Sequence, residues 1–334
     1  MSKVSVLIAV YNTEQYLTEC LDSVCTQTLQ DIQIICIDDC STDSSPKILQ
    51  QYAEMDKRIC VIHLPQNCGI AVARNEGLKI ANGEYIMMLD SDDWLAPNAI
   101  EEAYDCITSE EDIDCALFKL IYYHQDKQEI EQYHNRTKQT TFSGQEAFAL
   151  SLDWSLHGLY LVRASIHHAH PYDTTCHLYS DENTTRLHYL YSRRVVLTEG
   201  IYYYRRHTES MTTRISPRRF DCMDAYLSMK YTLLEEAAKG NLSNQEEILN
   251  KYEIHRWLNA VDSYWLYYSN KKTFSTEERQ EIEHRIASIL PTIERHRIPL
   301  SIRLKFGYYP FRTYKVFTLT ENCYFGLRKL IFRR

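Results

Sequence analysis

The sequence predicts an α/β chain: a mostly parallel sheet with helices on both faces, followed by a helical C-terminal region. Three observations carry that prediction. Short apolar runs rich in β-branched residues alternate with amphipathic segments through roughly the first hundred residues. Turn and cap residues separate these runs at regular intervals. Near Ser216 the texture changes, and polar and charged runs such as Glu277–Arg285 replace the strand–turn–helix units. A chain of 334 residues accommodates one large domain with an appendage, or two domains.

Val4–Val10 reads as a buried strand, broken by Tyr11-Asn12-Thr13. Leu17, Leu21 and Val24 then recur at helical spacing through about Thr28, with Asn12 or Thr13 as cap. Ile32–Ile37 is a second strand, ended by Asp38-Asp39. Ser44 or Ser45 before Pro46 starts the next helix, because proline suits the first turn. Val61–Leu64 is a third strand. A loop with Asn67 and Gly69 leads to a helix over about 71–81, and Asn82-Gly83 turns the chain. Tyr85–Leu89 is a fourth strand running into Asp90-Ser91-Asp92-Asp93-Trp94, with a helix opening at Pro97. Cys115–Tyr123 and Val195–Tyr204 are further strands. The soft boundary near Ser216 separates 1–215 from 216–334.

Apolar residues make up 44% and charged residues 25%, ordinary for a water-soluble fold. A formal charge of -8 argues against whole-chain nucleic-acid binding. Eleven scattered cysteines without a CxxC pair read as reduced, buried thiols of a cytoplasmic protein. His167, His168, His170, Cys176 and His177 form the one stretch with zinc-ligand chemistry, and we read it as a polar surface loop. No run approaches the roughly 18 apolar residues that span a bilayer, and Met1 leads directly into a strand without a signal-peptide layout.

Two acidic clusters, Asp38-Asp39 and Asp90-Ser91-Asp92-Asp93, fall at strand ends, where open α/β sheets bind ligands. Crowded carboxylates repel one another unless a cation or hydrogen bonds offset the charge. Hard divalent ions of the Mg²⁺ type take one or two protein carboxylates and complete their shell with water and phosphate. A D-x-D at a strand end therefore suits a metal–diphosphate site. Plainer readings compete: aspartates end strands and cap helices, and Asp93 is placed to cap the helix near Pro97. An EF-hand fails, because its sixth loop position requires glycine and holds Leu95 here. A phosphoacceptor pocket fits poorly with the second acidic pair.

Several segments together resemble family 2 glycosyltransferases: Ser5–Asn12, Gln27-Thr28, Ile34–Asp43, Asn67-Cys68-Gly69 with Ala73–Gly77, and Gly83–Trp94. The match is dense over about 3–100 and looser over 175–215. It implies the glycosyltransferase A fold, a nucleotide-diphosphate sugar donor with a lean to UDP, and usually inversion at the anomeric carbon. It also implies Mn²⁺ or Mg²⁺ at the DXD motif, and a hexosyl or N-acetylhexosaminyl transfer in bacterial capsule, lipopolysaccharide or other surface-polysaccharide synthesis. By position, the resemblance assigns residues 1–100 to donor binding and 101–215 to the acceptor side.

Carried over residue by residue, Ala9, Tyr11 and Asp39 would line the nucleoside pocket, with Asp39 on the base. Arg74 would lie near the nucleotide. Asp90 would sit by ribose and metal, with Ser91 beside it, and Asp92 would be the direct metal ligand. The family often has proline at the position of Ala9 and glycine at that of Cys40. Tyr202–His207 with Ser210 resembles the segment that closes over the diphosphate, so Arg206, His207 and Ser210 would donate hydrogen bonds there; otherwise they form an exposed basic strand end. The family's base lies in a Glu-Asp pair at a helix start, and here stands Ser180-Asp181-Glu182-Asn183. Alignment on Val195-Val196 favours Asp181, alignment on Leu187 and Leu190 favours Glu182, and both stay candidates with Asp181 slightly ahead. Either acid also suits a helix start on dipole grounds.

From Ser301 onward, eight lysines and arginines face the single acid Glu321, interleaved with aromatic residues. That composition fits peripheral contact with the inner face of the plasma membrane, convenient for a lipid-linked acceptor; it equally fits a solvated helical tail. Two other functions share the acidic sheet edge. A sugar nucleotidyltransferase carries an N-terminal glycine-rich basic phosphate loop, and Ala9–Glu14 has neither glycine nor a basic residue. A non-catalytic nucleotide-sugar-binding module leaves both acidic clusters without work.

Overall fold

The computed structural model describes residues 2–135, 137–207 and 214–331. The chain forms two compact units, Met1–Thr213 and Arg214–Arg334. The first contains, in order, β1 (Val4–Val10), α1 (Glu14–Cys25), β2 (Ile32–Asp38), α2 (Ser45–Met55), β3 (Ile59–His63), α3 (Ile70–Leu78), β4 (Tyr85–Met88), β5 (Trp94–Leu95), α4 (Ala99–Thr108), β6 (Ile113–His124), β7 (Glu129–Gln132), β8 (Thr141–Ser143), α5 (Gly144–Ser151), β9 (Tyr160–Arg163), α6 (Ala164–Ala169), α7 (Ser180–Tyr191) and β10 (Arg194–Arg206).

Among the described residues the strands make one sheet in the order β3-β2-β1-β4-β9-β6-β10-β5, with β7 added beside β6 and β8 beside β10. The first four strands are parallel, as the strand–helix alternation predicts. β9 then enters antiparallel between β4 and β6, so the whole sheet is mixed. β9 spans only Tyr160–Arg163, too short a run to signal itself in the sequence.

β1 is a continuous apolar run because both faces are covered. Val4, Val6, Ile8 and Val10 pack with Leu17, Cys20, Leu21 and Val24 of α1. Leu7 on the opposite face joins Ile35, Ile37, Ala71 and Ala73 under α3. A β-carbon on Gly77 would come within 2.6 Å of Ile37 Cδ1, so glycine there sets how closely α3 lies on β2. Pro46 stands in the first turn of α2 as expected. Asp93 does not cap α4: Asn98 occupies the cap position, and Asp93 is drawn inward by partners described below.

The second unit is helical among its described residues: α8 (Asp221–Ala238), α9 (Gln245–Asn270), α10 (Thr276–Ile289), α11 (Leu300–Arg303) and α12 (Tyr314–Ile331). Among the described residues no helix is long and apolar enough to cross a membrane. Glu321 of α12 is fully buried, and neither carboxylate oxygen has a hydrogen-bond partner. Burial pushes its pKa up to about 8 from the usual 4.5. Since the folded value is raised, ionisation destabilises the fold: the cost is absent below the unfolded pKa and grows until the pH passes the folded one. Glu321→Gln is expected to raise stability by about 2 kcal/mol near pH 8 and to change little near pH 4, measured by calorimetry at both pH values.

Candidate active site

The predicted residues gather at the C-terminal ends of the parallel strands. Ala9 and Tyr11 lie at the end of β1, Tyr11 being exposed. Asp39 follows β2 and is buried, with its backbone N–H bonded to the Val10 carbonyl. Its two carboxylate oxygens accept from the backbone N–H groups of Cys68 and Gly69, at 2.7 and 2.9 Å. Gly69 has φ +89°, which turns its N–H toward Asp39; a side chain there would also strike His177, its β-carbon coming within 2.7 Å of Nδ1. Asp39 thus ties the Asn67–Gly69 loop to the edge of β2. Its neighbour Asp38 accepts from the Ser41 N–H and pairs with His63 Nδ1, both at 3.0 Å.

Asn12 and Cys40, just past β1 and β2, both adopt left-handed backbone, with φ 53° and 61°. That explains a glycine preference at the position of Cys40, since a β-carbon there costs about 1 kcal/mol. Asn12 Oδ1 accepts from the Thr42 N–H at 2.7 Å, so the two strained turns brace each other. Ser91 is buried, and its hydroxyl accepts from Thr13 Oγ1 at 3.1 Å, joining the start of α1 to the segment after β4.

Arg74 of α3 is the centre of the arrangement. It is 1% exposed and donates to Asp90 Oδ1 at 2.5 Å and to Asp181 Oδ2 at 2.9 Å. Burial opposes its charge, but the two carboxylates more than offset this and hold it ionised. Asp90 itself is pushed up by burial and by Asp92 and Asp181, against the pull of Arg74. The guanidinium therefore links the end of β4 to the start of α7, two places 91 positions apart in sequence. Removing it leaves two facing carboxylates uncompensated. Arg74→Met is expected to cost about 3 kcal/mol, the low end for a broken buried pair because Asp90 and Asp181 are a quarter exposed; chemical denaturation checks it.

Asp92 Oδ2 contacts His207 Nε2 at 3.0 Å, and the His207 ring lies against Tyr16. Asp93 is buried, accepting from Tyr202 Oη at 2.9 Å and the Arg205 N–H at 2.7 Å. Burial and the adjacent Asp92 and Asp90 raise its pKa well above the carboxylate range. Tyr202 Oη also accepts from the Asp90 N–H at 3.1 Å, so one hydroxyl spans the acidic loop. Arg205 donates Nε to the Asp92 carbonyl at 2.8 Å, pairs with Glu19, and lies over the Trp94 ring at 4.5 Å.

Arg206 is not brought to the acidic loop. Its guanidinium sits over the Tyr122 ring at 3.8 Å, because neighbours on a strand face opposite ways. The antiparallel register Tyr203↔Trp94 continues to place Arg205, not Arg206, beside Asp92. Sequence reasoning passed over Arg205, and no spacing signal separates the two arginines without that register. Ser210 lies outside the described residues.

The two base candidates open α7, behind Tyr179 in left-handed backbone at φ 69°. Asp181 is engaged by Arg74. Glu182 is pushed up to about 7 by burial, against the pull of Arg186 at 3.4 Å. Trp154 also opposes that rise, and the buried Arg186 guanidinium lies over the Trp154 ring at 5.0 Å. The tryptophan itself has φ 56°. Neither Trp154 nor Arg186 was signalled by a motif; Arg186 reaches Glu182 from one turn further along α7, and Trp154 through the packing of the segment after α5 on that helix.

In the histidine-rich stretch, His168 and His177 are exposed as a surface segment requires, and the departure is at His167, on α6. His167 is 2% exposed, its ring packed against Tyr172 and His188, and burial lowers its pKa well below the usual value. Tyr160 Oη and the His170 carbonyl engage His188 at 2.8 and 2.9 Å. This is core packing by aromatic rings. Among the described residues no three His, Cys, Asp or Glu side chains gather as a metal cluster.

Comparison with known proteins places this geometry. The Glycosyl transferase family 2 model matches residues 5–168. Glycosyltransferase GlyG of Streptococcus pneumoniae serotype 4 is 31% identical over 222 residues, covering 62% of this chain and 72% of its own. The crystal structure of S. aureus TarS 1-349 in complex with UDP-GlcNAc superposes with a TM-score of 0.69 at 19% identity, over 97% of this chain and 92% of that one. A mannosyltransferase from Pyrobaculum calidifontis in complex with GDP-Man and Mn²⁺ gives 0.55 at 14% identity, over 96% and 86%. The two structures share the fold of the sheet and its helices, and the identity and coverage of the sequence relative decide membership: this chain belongs to the family 2 glycosyltransferases.

Proposed function

We infer that this glycosyltransferase moves a sugar from a UDP-sugar to a hydroxyl of a glycan or lipid-linked acceptor in surface-polysaccharide synthesis, with inversion. The Arg74 bridge carries the reading. It holds the DXD loop, where a diphosphate belongs, in fixed relation to the helix that presents Glu182. TarS, of like fold, is seen with UDP-GlcNAc, which supports the uridine donor.

Asp92, with Asp90, would hold Mn²⁺ or Mg²⁺, and their partial exposure leaves room for an ion that takes most of its ligands from water and phosphate. Such an ion, when bound, neutralises charge on the departing nucleoside diphosphate. The chain's own groups do the rest. Asp39, Ala9 and Tyr11 shape the nucleoside pocket, and Asp39 does so by pinning the Cys68-Gly69 backbone. Tyr202, Arg205 and His207 fix the acidic loop. A Glu182 carboxylate oxygen takes the proton of the acceptor hydroxyl as the hydroxyl oxygen attacks the anomeric carbon, whose bond to the nucleoside diphosphate oxygen breaks. Asp181 serves Arg74, so of the two candidates Glu182 is the base. Attack from the face opposite the diphosphate inverts the centre.

Nucleotide sugars of several bases, each with and without Mn²⁺, test this by thermal shift. A UDP-sugar at about a hundredfold over its Kd is expected to raise Tm by about 5 °C or more, and only with metal. A flat response to every donor, metal or not, overturns the reading.

A further inference from the structure

The last part of the chain exposes apolar side chains that the catalytic reading does not use. On α12, Val316, Leu319, Cys323 and Leu327 are exposed, Leu319 at 68%. At 3.6 residues per turn they fall within about 80° of one another and form one stripe. Phe317, Glu321 and Phe325 occupy the opposite side and are buried. The segment preceding α12 adds Leu304, 77% exposed, and Phe306, 54% exposed. Phe306 packs edge-on against Tyr324 at 5.6 Å, which places it beside α12.

Charge selects what covers this surface. Residues 301–334 carry eight lysines and arginines and one acid, in a chain whose net charge is -8. Lys305, Arg312 and Lys315 are exposed beside the apolar residues, whereas Glu321 is withdrawn into the core. An apolar stripe flanked by cations, on a segment that exposes no acid of its own, is complementary to an anionic bilayer surface; the exposed Asp262 of α9 faces Arg328, away from the stripe. A second copy of this chain would set cations against cations.

We propose that α12 and the segment from Leu300 form a peripheral membrane-docking surface that inserts Leu304, Phe306, Leu319 and Leu327 at the headgroup boundary of a bilayer rich in anionic lipid. The full chain is mixed with phosphatidylcholine vesicles, with or without about one third phosphatidylglycerol, and pelleted. Binding is expected to the anionic vesicles alone, and to weaken as salt rises. Leu319→Glu with Leu327→Glu is expected to reduce binding at least tenfold; both sites are exposed, so the melting curve should be unchanged. Arg312→Glu with Lys315→Glu is expected to cost about fivefold per cation removed. Failure of the wild-type chain to pellet with anionic vesicles overturns the proposal, as does wild-type binding by the leucine double variant. So does a dimer in light scattering that the leucine variant dissolves while no vesicles are bound. None of these readouts uses the sugar-transfer reaction, so they stand or fall apart from the proposed activity.

Discussion

Glu182→Gln is expected to lower kcat by about 10³-fold, within the usual range for loss of a general base, while KM for the donor stays near its wild-type value. The amide keeps the size of the side chain and its packing against Trp154 and Arg186, but cannot take a proton. Wild-type log kcat/KM should rise with unit slope as pH increases and level off near pH 7, because burial pushes Glu182 up to about 7 and only the ionised form accepts the proton. The variant should lose that slope. Asp181→Asn should behave differently. It cuts one of two bonds from Arg74, and its effect should be seen chiefly as lower stability with a modest loss of rate. Steady-state UDP release by both variants separates the two acids. A large kcat loss in Asp181→Asn with a near-normal Glu182→Gln would reverse the assignment.

Asp92→Ala is expected to reduce transfer by about 10³-fold or more, and to remove the dependence of donor binding on Mn²⁺. The carboxylate already faces His207, so the loss strips both a candidate metal ligand and the partner that orients that histidine. The fold should hold, because the Asp92 side chain is a quarter exposed and the loop keeps the backbone contacts of Arg205 and the hydrogen bonds of Asp93. Product formation with and without added metal, together with the melting curve, checks this. Near-normal rates in the variant would remove Asp92 from the site.

Trp154 and Arg205 show how far motif reading reached. Trp154 belongs to no motif, and Arg205 lies inside the Tyr202–His207 segment but is passed over there for its neighbour Arg206. Arg205 reaches Asp92 only because β5 pairs antiparallel with β10 in one register. A slip of one residue would exchange it for Arg206. Trp154 follows α5, in a stretch without periodic pattern, and meets Glu182 by packing. His167 erred in the other direction: a polar residue in a polar stretch was read as exposed, although aromatic neighbours from α7 and the loop after α6 enclose it.

By itself, the sequence determined the parallel first half of the sheet, the acidic residues at its strand ends, the family, and a helical, basic C-terminal region. These are local properties: β1 to β4 are apolar runs bounded by turn residues, and the family motifs lie within single loops. Only the tertiary structure decided that Arg74 joins Asp90 to Asp181, that Glu182 is left in a setting that raises its pKa, and that Arg205 rather than Arg206 faces the acidic loop. Those depend on contacts between segments dozens of residues apart. Their distances follow from strand register and helix packing, which no single segment encodes.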